Sequence, residues 1–304
     1  MSALPSLHVV DDATSLDTTD PGPQAPSLLA RRAEAHRVRA AAQHGPFAAF
    51  GPLGPLAVRD ADVPALVRAL PEADPDDDAA PLDVTVVVSG GAGAIEPAAR
   101  WAERASGLRL RGLLASVRDL DDLARGAHRI AAMVQMLGAD AVIDDDVVVE
   151  VALPLDARGP AGARWEHALD TLALEDLRLA LRTGGAWSEA PDPTTLAAAI
   201  GEALDREIAF VCHGGLEGAV GTSGPGAGYG FADVLLATRA SLDGAAPDEV
   251  AARLTEQRTL ESTRAELDAI GAAGVGSAAR WFSGFSSVDV DATVADLAAV
   301  GLGG

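Results

Sequence analysis

Short runs of aliphatic and β-branched residues alternate along this chain with longer stretches in which apolar residues recur at helical spacing. This rhythm is typical of strand–helix units that build a parallel sheet, and about eight such units can be counted. The clearest predicted strands are residues 84–88, 110–116, 147–153 and 208–212. Weaker strands, which would complete a ring, are predicted at 7–10, 48–56, 179–181 and 280–285.

The longer stretches predict helices over residues 26–42, 61–70, 97–106, 120–137, 194–204 and 231–242. Stretches rich in Gly, Pro and Asp at 71–81, 156–163 and 221–228 are predicted connections, and none is a long linker. Because the usual domain has about 100–200 residues but single α/β barrels commonly reach about 250, length alone leaves one domain or two open. We predict a TIM-like (β/α)8 barrel with an arm and first strand in residues 1–26 and the rest of the barrel in 27–304.

The chain contains no lysine, and its 23 basic side chains are all arginine. This absence excludes Schiff-base catalysis, pyridoxal phosphate attachment and a P-loop lysine, because each requires a primary amine. A GC-rich genome explains the composition most simply. The alternative is a surface selected to resist aldehyde adducts or lysine-directed tagging.

The formal net charge of −22 predicts small molecules or proteins as partners, because nucleic acids and anionic membranes would be repelled. Cys212 is the single cysteine, so no intramolecular disulfide can form. Residues 1–11 lack the basic start and apolar core of a signal peptide. No apolar run reaches the roughly 20 residues that cross a bilayer. These features predict a cytoplasmic protein.

Four stretches resemble, in the same order, a mainly actinobacterial family for which no reaction is settled. Residues 181–185 match its Leu-Arg-Thr-Gly-Gly run, and residues 230–237 are similar to its Gly-Phe-Leu-Asn-Val-Leu-Leu-Ala run. Residues 210–220 resemble its Phe-Lys-x-Thr-Ala-Gly-Leu-His-His-Pro-Val run, and residues 285–291 its Phe-Gly-Ser-Cys-Ser-x-Asp run. The resemblance spans most of the chain and implies a TIM-like barrel.

The chain departs from this family where the family is polar. Its two lysines are replaced, as are its paired histidines, so the family site has been either lost or rebuilt. The residues at the departing positions are Ala180, Val211, His213, Glu217, Gly218, Tyr229 and Asp233.

The candidate catalytic residues are His213 and Glu217, which follow the predicted seventh strand. In parallel barrels, reactive groups collect where strands end, and a histidine can act as a base near neutral pH. A carboxylate four residues away could orient that histidine. The alternatives are a loop or cap role for His213 and a helix-start role for Glu217.

Arg182, Thr183 and Gly184 end the predicted sixth strand and are candidate substrate-binding residues. A guanidinium beside accessible backbone amides is suited to bind a phosphate or carboxylate. The alternative is an ion pair between Arg182 and Glu150 inside the barrel mouth. Both interpretations place Arg182 inside.

Other strand ends carry further candidates for lining the substrate pocket, namely Asp12, Glu150, Tyr229 and Asp289. Together with Asp11, Asp291, Glu217 and His213, the carboxylates would make an oxygen-rich site for a divalent cation, although we predict no cofactor. The loop 89–93 has the look of a phosphate loop but matches no full fingerprint. Cys212, buried in a predicted strand, is a weak nucleophile candidate.

We therefore predict a barrel that binds a small, polar, anionic metabolite and performs lysine-independent acid/base chemistry of lyase or isomerase type. The alternative is a catalytically degenerate member of the family that acts as a binding or scaffold protein. Its partner would be a second copy of the chain or a homologous protein.

Overall fold

The computed structural model describes residues 10–13, 24–41, 53–70, 81–105, 107–155, 162–185, 189–216, 218–222 and 228–302. The predicted catalytic residue Glu217 lies outside these ranges, as does the predicted connection at 71–81 except for its last residue. Most of the predicted strands at 7–10 and 48–56 also lies outside them.

The described strands are all parallel. Their bounds are β1 Val10–Asp12, β2 Leu56–Arg59, β3 Leu82–Val88, β4 Leu108–Ser116, β5 Val148–Ala152, β6 Arg178–Arg182, β7 Phe210–His213 and β8 Phe282–Ser287. Strands β2 to β8 pair in sequence order as a curled sheet of seven strands. The short β1 pairs with β8 at three positions and with β2 only at Asp12 and Leu56.

The helices surround this curled sheet. Their bounds are α1 Pro26–Ala41, α2 Val63–Ala69, α3 Ala92–Glu103, α4 Leu123–Ala139, α5 Ala163–Leu174, α6 Pro193–Asp205, α7 Phe231–Leu242, α8 Pro247–Thr255, α9 Leu260–Ala279 and α10 Val290–Val300. The predicted TIM-like α/β class is thereby confirmed in its coarser form, a curled parallel sheet with helices around it. None of the described helices is both long and apolar enough to span a bilayer.

The sequence pattern located the strands better than the helices. Strand β8 begins two residues later than predicted and β6 extends one residue further at each end. Helices α5, α8, α9 and α10 were not predicted at all. Helix α5 nevertheless carries a helical stripe, because Trp165, Ala168, Leu169 and Leu172 are all fully buried.

Two apolar layers hold the sheet in place. Outside it, Phe210, Phe282 and Phe285 form a stacked row that continues to Phe231 of α7. Inside it, the apolar side chains are mainly small, and the inner cluster comprises Ala13, Ala57, Val87, Leu114, Ala152, Ala180 and Val211. Small inner side chains leave room for longer polar ones to reach across the interior.

Candidate functional site

The polar side chains of the site lie on the inner face of β5, β6 and β7. Successive strand residues face opposite sides, so Glu150, Arg182 and His213 share the inner face with Ala152, Ala180 and Val211. The register pairs Arg182 of β6 with His213 of β7. Parallel neighbours are about 4.8 Å apart, so the backbones of Arg182 and His213 are adjacent.

His213 and Glu150 form a buried hydrogen-bonded pair. Nε2 of His213 lies 2.7 Å from Oε2 of Glu150, and their side chains are only 4% and 10% exposed. The contact spans from β7 to β5 across β6, where Ala180 presents only a methyl group. A carboxylate bonded to one ring nitrogen fixes the orientation of an imidazole.

The sequence predicted Glu217 as the carboxylate partner of His213, whereas the structure provides Glu150. The alternative pairing of Glu150 with Arg182 is not the arrangement found. Arg182 instead donates a hydrogen bond from Nη2 to Oγ of Ser116, over 2.7 Å.

Arg182 and the exposed Arg118 bring two positive charges to the carboxyl ends of β4 and β6. Burial lowers the pKa of Arg182, and the positive charge of Arg118 lowers it further. An arginine remains charged in spite of such shifts. This end of the sheet is therefore a local concentration of positive charge in a strongly acidic chain.

Thr183 and Gly184 serve the packing of two loops. The fully buried hydroxyl of Thr183 donates to the carbonyl of Gly214 over 2.5 Å. Gly214 has φ +77°, and a Cβ there would lie 2.3 Å from the carbonyl oxygen of Gly184. A Cβ on Gly215 would lie 2.7 Å from the oxygen of Thr183. The two Gly-Gly pairs thus let the loops after β6 and β7 approach backbone to backbone.

Tyr229 and Asp289, two of the predicted substrate-binding residues, make hydrogen bonds within the protein. The hydroxyl of Tyr229 donates to the carbonyl of Pro191, and burial, with a smaller effect of Asp192, raises the pKa of Tyr229 to about 12. Asp289 caps α10 by accepting from the backbone N–H of Ala292 over 3.1 Å. Asp12 ends β1, where its backbone pairs with β2 and β8.

Two further candidates have internal roles. Ser89, at the start of the glycine-rich loop, directs its backbone N–H and its hydroxyl to the carboxylate of Asp60, at 3.0 and 2.8 Å. Donors that could hold a phosphate therefore hold a carboxylate of the protein. Cys212 is fully buried, and this burial raises the pKa of its thiol, which favours the unreactive protonated form.

The predicted clamp and the predicted base line different cavities. The cavity beside Arg182 measures about 400 Å³ and is formed by the segments after β5 and before α6, namely Leu153, Pro154, Leu155, Glu189, Ala190, Pro191 and Asp192. His213 and Glu150 line a cavity of about 180 Å³ that lies among the amino-terminal ends of the strands. The sequence had predicted one mouth at the carboxyl ends for both.

A divalent cation has no obvious set of ligands in the described ranges, since no group of three or more His, Cys, Asp or Glu side chains is arranged to hold one. Asp291, one of the predicted ligands, instead pairs with Arg39 at 2.9 Å. Because Glu217 lies outside the described residues, the metal prediction remains untested.

Sequence reasoning missed Ser116, Arg118 and Arg178 as site residues. Ser116 ends a correctly predicted strand and Arg118 follows it by two residues, which is the alternation that marks one face of a strand. Applying this alternation to every predicted strand end would have found both residues. Arg178 begins β6, one residue before the predicted start, and was hidden by that boundary error.

Comparison with protein-family models finds no match to this chain, and comparison with curated proteins finds none either. The resemblance to the actinobacterial family therefore stays a prediction, and the function is argued from the site.

Proposed function

We propose that the protein is an acid/base enzyme of lyase or isomerase type that acts on a small anionic metabolite. His213 transfers the proton, Glu150 orients its ring, and Arg182 binds the anionic group. The observation that carries the proposal is the buried His213–Glu150 bond, whose His213 pairs in strand register with Arg182 of β6.

The histidine–carboxylate pair supports proton transfer. A general base works best when a second group fixes its tautomer and stabilises the imidazolium that forms. Nε2 of His213 bonds the carboxylate of Glu150, which holds the ring in a fixed orientation for proton transfer. No lysine is needed for this chemistry, in agreement with the composition.

The paired guanidinium groups support an anionic substrate. Arg182 donates a hydrogen bond to the neutral Ser116, and the positive charge of Arg118 lowers the pKa of Arg182 in addition to the larger effect of burial. A carboxylate or phosphate between them would relieve this repulsion. Glu189 and Asp192 line the same cavity as Arg182, so the proposal places the anion between Arg182 and Arg118, away from these two carboxylates.

We also infer that β1 closes the sheet into a full (β/α)8 barrel, supported by its pairing with both β8 and β2. The acidic composition and the single buried cysteine support a cytoplasmic location. A small-molecule substrate is the principal partner, and a second copy of the chain or a homologous protein would be a further one.

The test follows deuterium incorporation from heavy water into pyruvate, malate, aspartate and dihydroxyacetone phosphate by proton NMR. Each compound has a C–H bond acidified by a neighbouring carbonyl or carboxylate. Wild-type protein should exchange at least one of them, and His213→Gln and Glu150→Gln should each slow the exchange by about 100-fold or more. Arg182→Gln should mainly raise KM.

Glu96→Gln is the matched control for Glu150→Gln, because Glu96 pairs with Arg100 on a helix surface away from the site. Its exchange rate should equal that of wild type. Exchange at the wild-type rate in His213→Gln contradicts the proposal. So does the absence of exchange from the whole panel in a folded wild-type protein.

One set of observations favours the alternative of a catalytically degenerate binding or scaffold protein. The polar groups of Thr183, Ser89, Asp289 and Tyr229 all bond within the protein. A protein partner recovered with purified wild type, together with no exchange and no stabilisation by phosphate or malate, would support this alternative.

A further inference from the structure

The 180 Å³ cavity among the amino-terminal ends of the strands shares the His213–Glu150 pair with the proposed function but does not include Arg182. Its outer part is bordered by Pro55, Val148, Arg178 and Ser283, each within one residue of the start of a strand. Its inner end is formed by the His213–Glu150 pair. The cavity therefore gives a ligand access to the pair from the side opposite Arg182.

The cavity exists because small residues take inner positions where larger ones would fill it. Gly112 and Gly284 lie in its wall. A Cβ on Gly112 would lie only 2.6 Å from Oγ1 of Thr85, so this position has no room for a side chain while Thr85 keeps its place. In most barrels of this kind, branched side chains pack the interior fully.

The charged groups that line the cavity leave one cation without a partner. Arg111 pairs with Asp146, and Glu150 bonds His213. Within the described part of the chain, the guanidinium of Arg178 makes no hydrogen bond or ion pair. The only lining carboxylate next to it in the sheet is Glu150, its register neighbour on β5.

The remaining wall is apolar or weakly polar. Val148, Val211 and Pro55 supply hydrocarbon surface, and the hydroxyl of Thr85 borders the same space. A cavity of 150 Å³ lined by hydrocarbon accepts benzene, so 180 Å³ accommodates about six to eight non-hydrogen atoms. A ligand for this site thus combines one negative group with a short hydrocarbon body.

We propose that this cavity binds a short-chain monocarboxylate, with its carboxylate on Arg178 at the mouth and its hydrocarbon chain directed inward toward the His213–Glu150 pair. A guanidinium binds a carboxylate in a planar, two-pronged geometry. The chain length is limited by the volume, so butanoate and pentanoate fit and octanoate does not. The proposal does not depend on the activity assigned to the carboxyl-end site.

The experiment is isothermal titration calorimetry of the full-length protein with butanoate, pentanoate, octanoate and the neutral pentan-1-ol. Wild type should bind pentanoate more tightly than octanoate or pentan-1-ol. Arg178→Gln should weaken pentanoate binding by about tenfold or more, since it removes a charged hydrogen bond. Pentan-1-ol binding should stay the same in this variant.

Two variants separate this site from the Arg182 site. Arg182→Gln should bind pentanoate as wild type does, and Arg129→Gln, on the exposed face of α4, is the charge-matched control. Val148→Phe, which fills the mouth, should abolish binding. Should it fail to fold, Arg178→Gln still decides the matter.

Equal pentanoate affinity in Arg178→Gln and Arg129→Gln overturns the proposal, and so does a loss confined to Arg182→Gln, which would place the carboxylate at the other end. Absence of binding to wild type also overturns it. Failure of the exchange experiment at the carboxyl-end site leaves these titrations interpretable, because they need no turnover.

Discussion

Single glycines decide whether the strand ends that carry the site can come together. The loops after β6 and β7 approach so closely that Gly214 and Gly215 contact the backbone at 183–184. Both glycines have positive φ, a region that other residues adopt only at a cost. The Gly-Gly pairs that look like ligand-binding turns in the sequence are thus explained by packing.

Gly214→Ala should lower the free energy of unfolding by about 1–3 kcal/mol or more. The new Cβ would be strained by the positive φ and would lie 2.3 Å from the carbonyl oxygen of Gly184. The measurement is urea unfolding followed by circular dichroism. The control is Gly201→Ala within α6, where a Cβ meets nothing within 4 Å. The free energy of unfolding of Gly201→Ala should be higher than that of wild type by about 0.5–1 kcal/mol, because alanine is favoured over glycine within a helix. Equal stability of the two variants would show that the loops do not pack as described.

At the scale of elements, helix caps position the segments that border the site. Asp192 precedes α6 and accepts hydrogen bonds from the backbone N–H groups of Thr194 and Thr195, at 3.1 and 3.0 Å. The hydroxyls of the same two threonines also donate to it. These bonds, led by that from the Thr194 hydroxyl, lower the pKa of Asp192 to about 2. The segment 189–192 beside Arg182 is thereby fixed to the start of α6.

Asp192→Ala should cost about 1 kcal/mol at pH 7 through loss of the cap. Because the folded pKa of Asp192 lies below its ordinary value of 3.8, the ionised cap stabilises above that value. This contribution is lost as pH falls from 3.8 toward about 2, so the difference between wild type and Asp192→Ala should shrink there.

The measurement is urea unfolding of both proteins across that range of pH. Asp192→Asn is the control, because asparagine also caps helices but does not ionise. A difference between wild type and Asp192→Ala that is constant with pH would mean that the carboxylate charge adds nothing to the cap.

A second inter-element connection is buried and ionic. Asp233, at the start of α7, accepts from Nη1 of Arg258 over 2.8 Å, and both side chains are at most 3% exposed. Asp233 also accepts from the backbone N–H of Gly221 over 2.6 Å. Burial raises the pKa of Asp233, and the hydrogen bonds that Asp233 accepts only partly offset this increase. The resemblance described above predicts asparagine at position 233. The aspartate found there pairs with Arg258, which lies just before α9.

At the scale of the whole molecule, the dominant property is excess negative charge. The net charge of −22 repels itself in the compact state, and the effect is strongest at low ionic strength. Against this background, Arg182 with Arg118 at one end of the sheet and Arg178 at the other are local exceptions. Both would attract anions.

Sodium chloride raised from about 20 mM to about 300 mM should increase Tm, because the Debye length shortens and long-range repulsion is screened. Differential scanning calorimetry measures the shift. An equal osmolarity of glycerol serves as the uncharged control for solvent effects. A lower Tm in salt would mean that the surface ion pairs outweigh the repulsion.

The sequence by itself determined the class of fold and the inward position of the main site residues. Strand–helix alternation is a local pattern, since side-chain burial repeats every two residues in strands and at 3.6 in helices. It therefore located β3, β4, β5 and β6 within one or two residues. Both sequence interpretations of Arg182 placed it inside, and the position of His213 after the predicted seventh strand placed it at the mouth of the barrel.

Only the tertiary structure decided which side chains meet. Glu150 and His213 are 63 residues apart along the chain and bond across β6 because Ala180 is small. Gly112 and Gly284 likewise open a cavity that no local pattern indicates. Such contacts depend on the register between strands and on the volumes of several inner residues together, and neither is encoded in a short stretch of sequence.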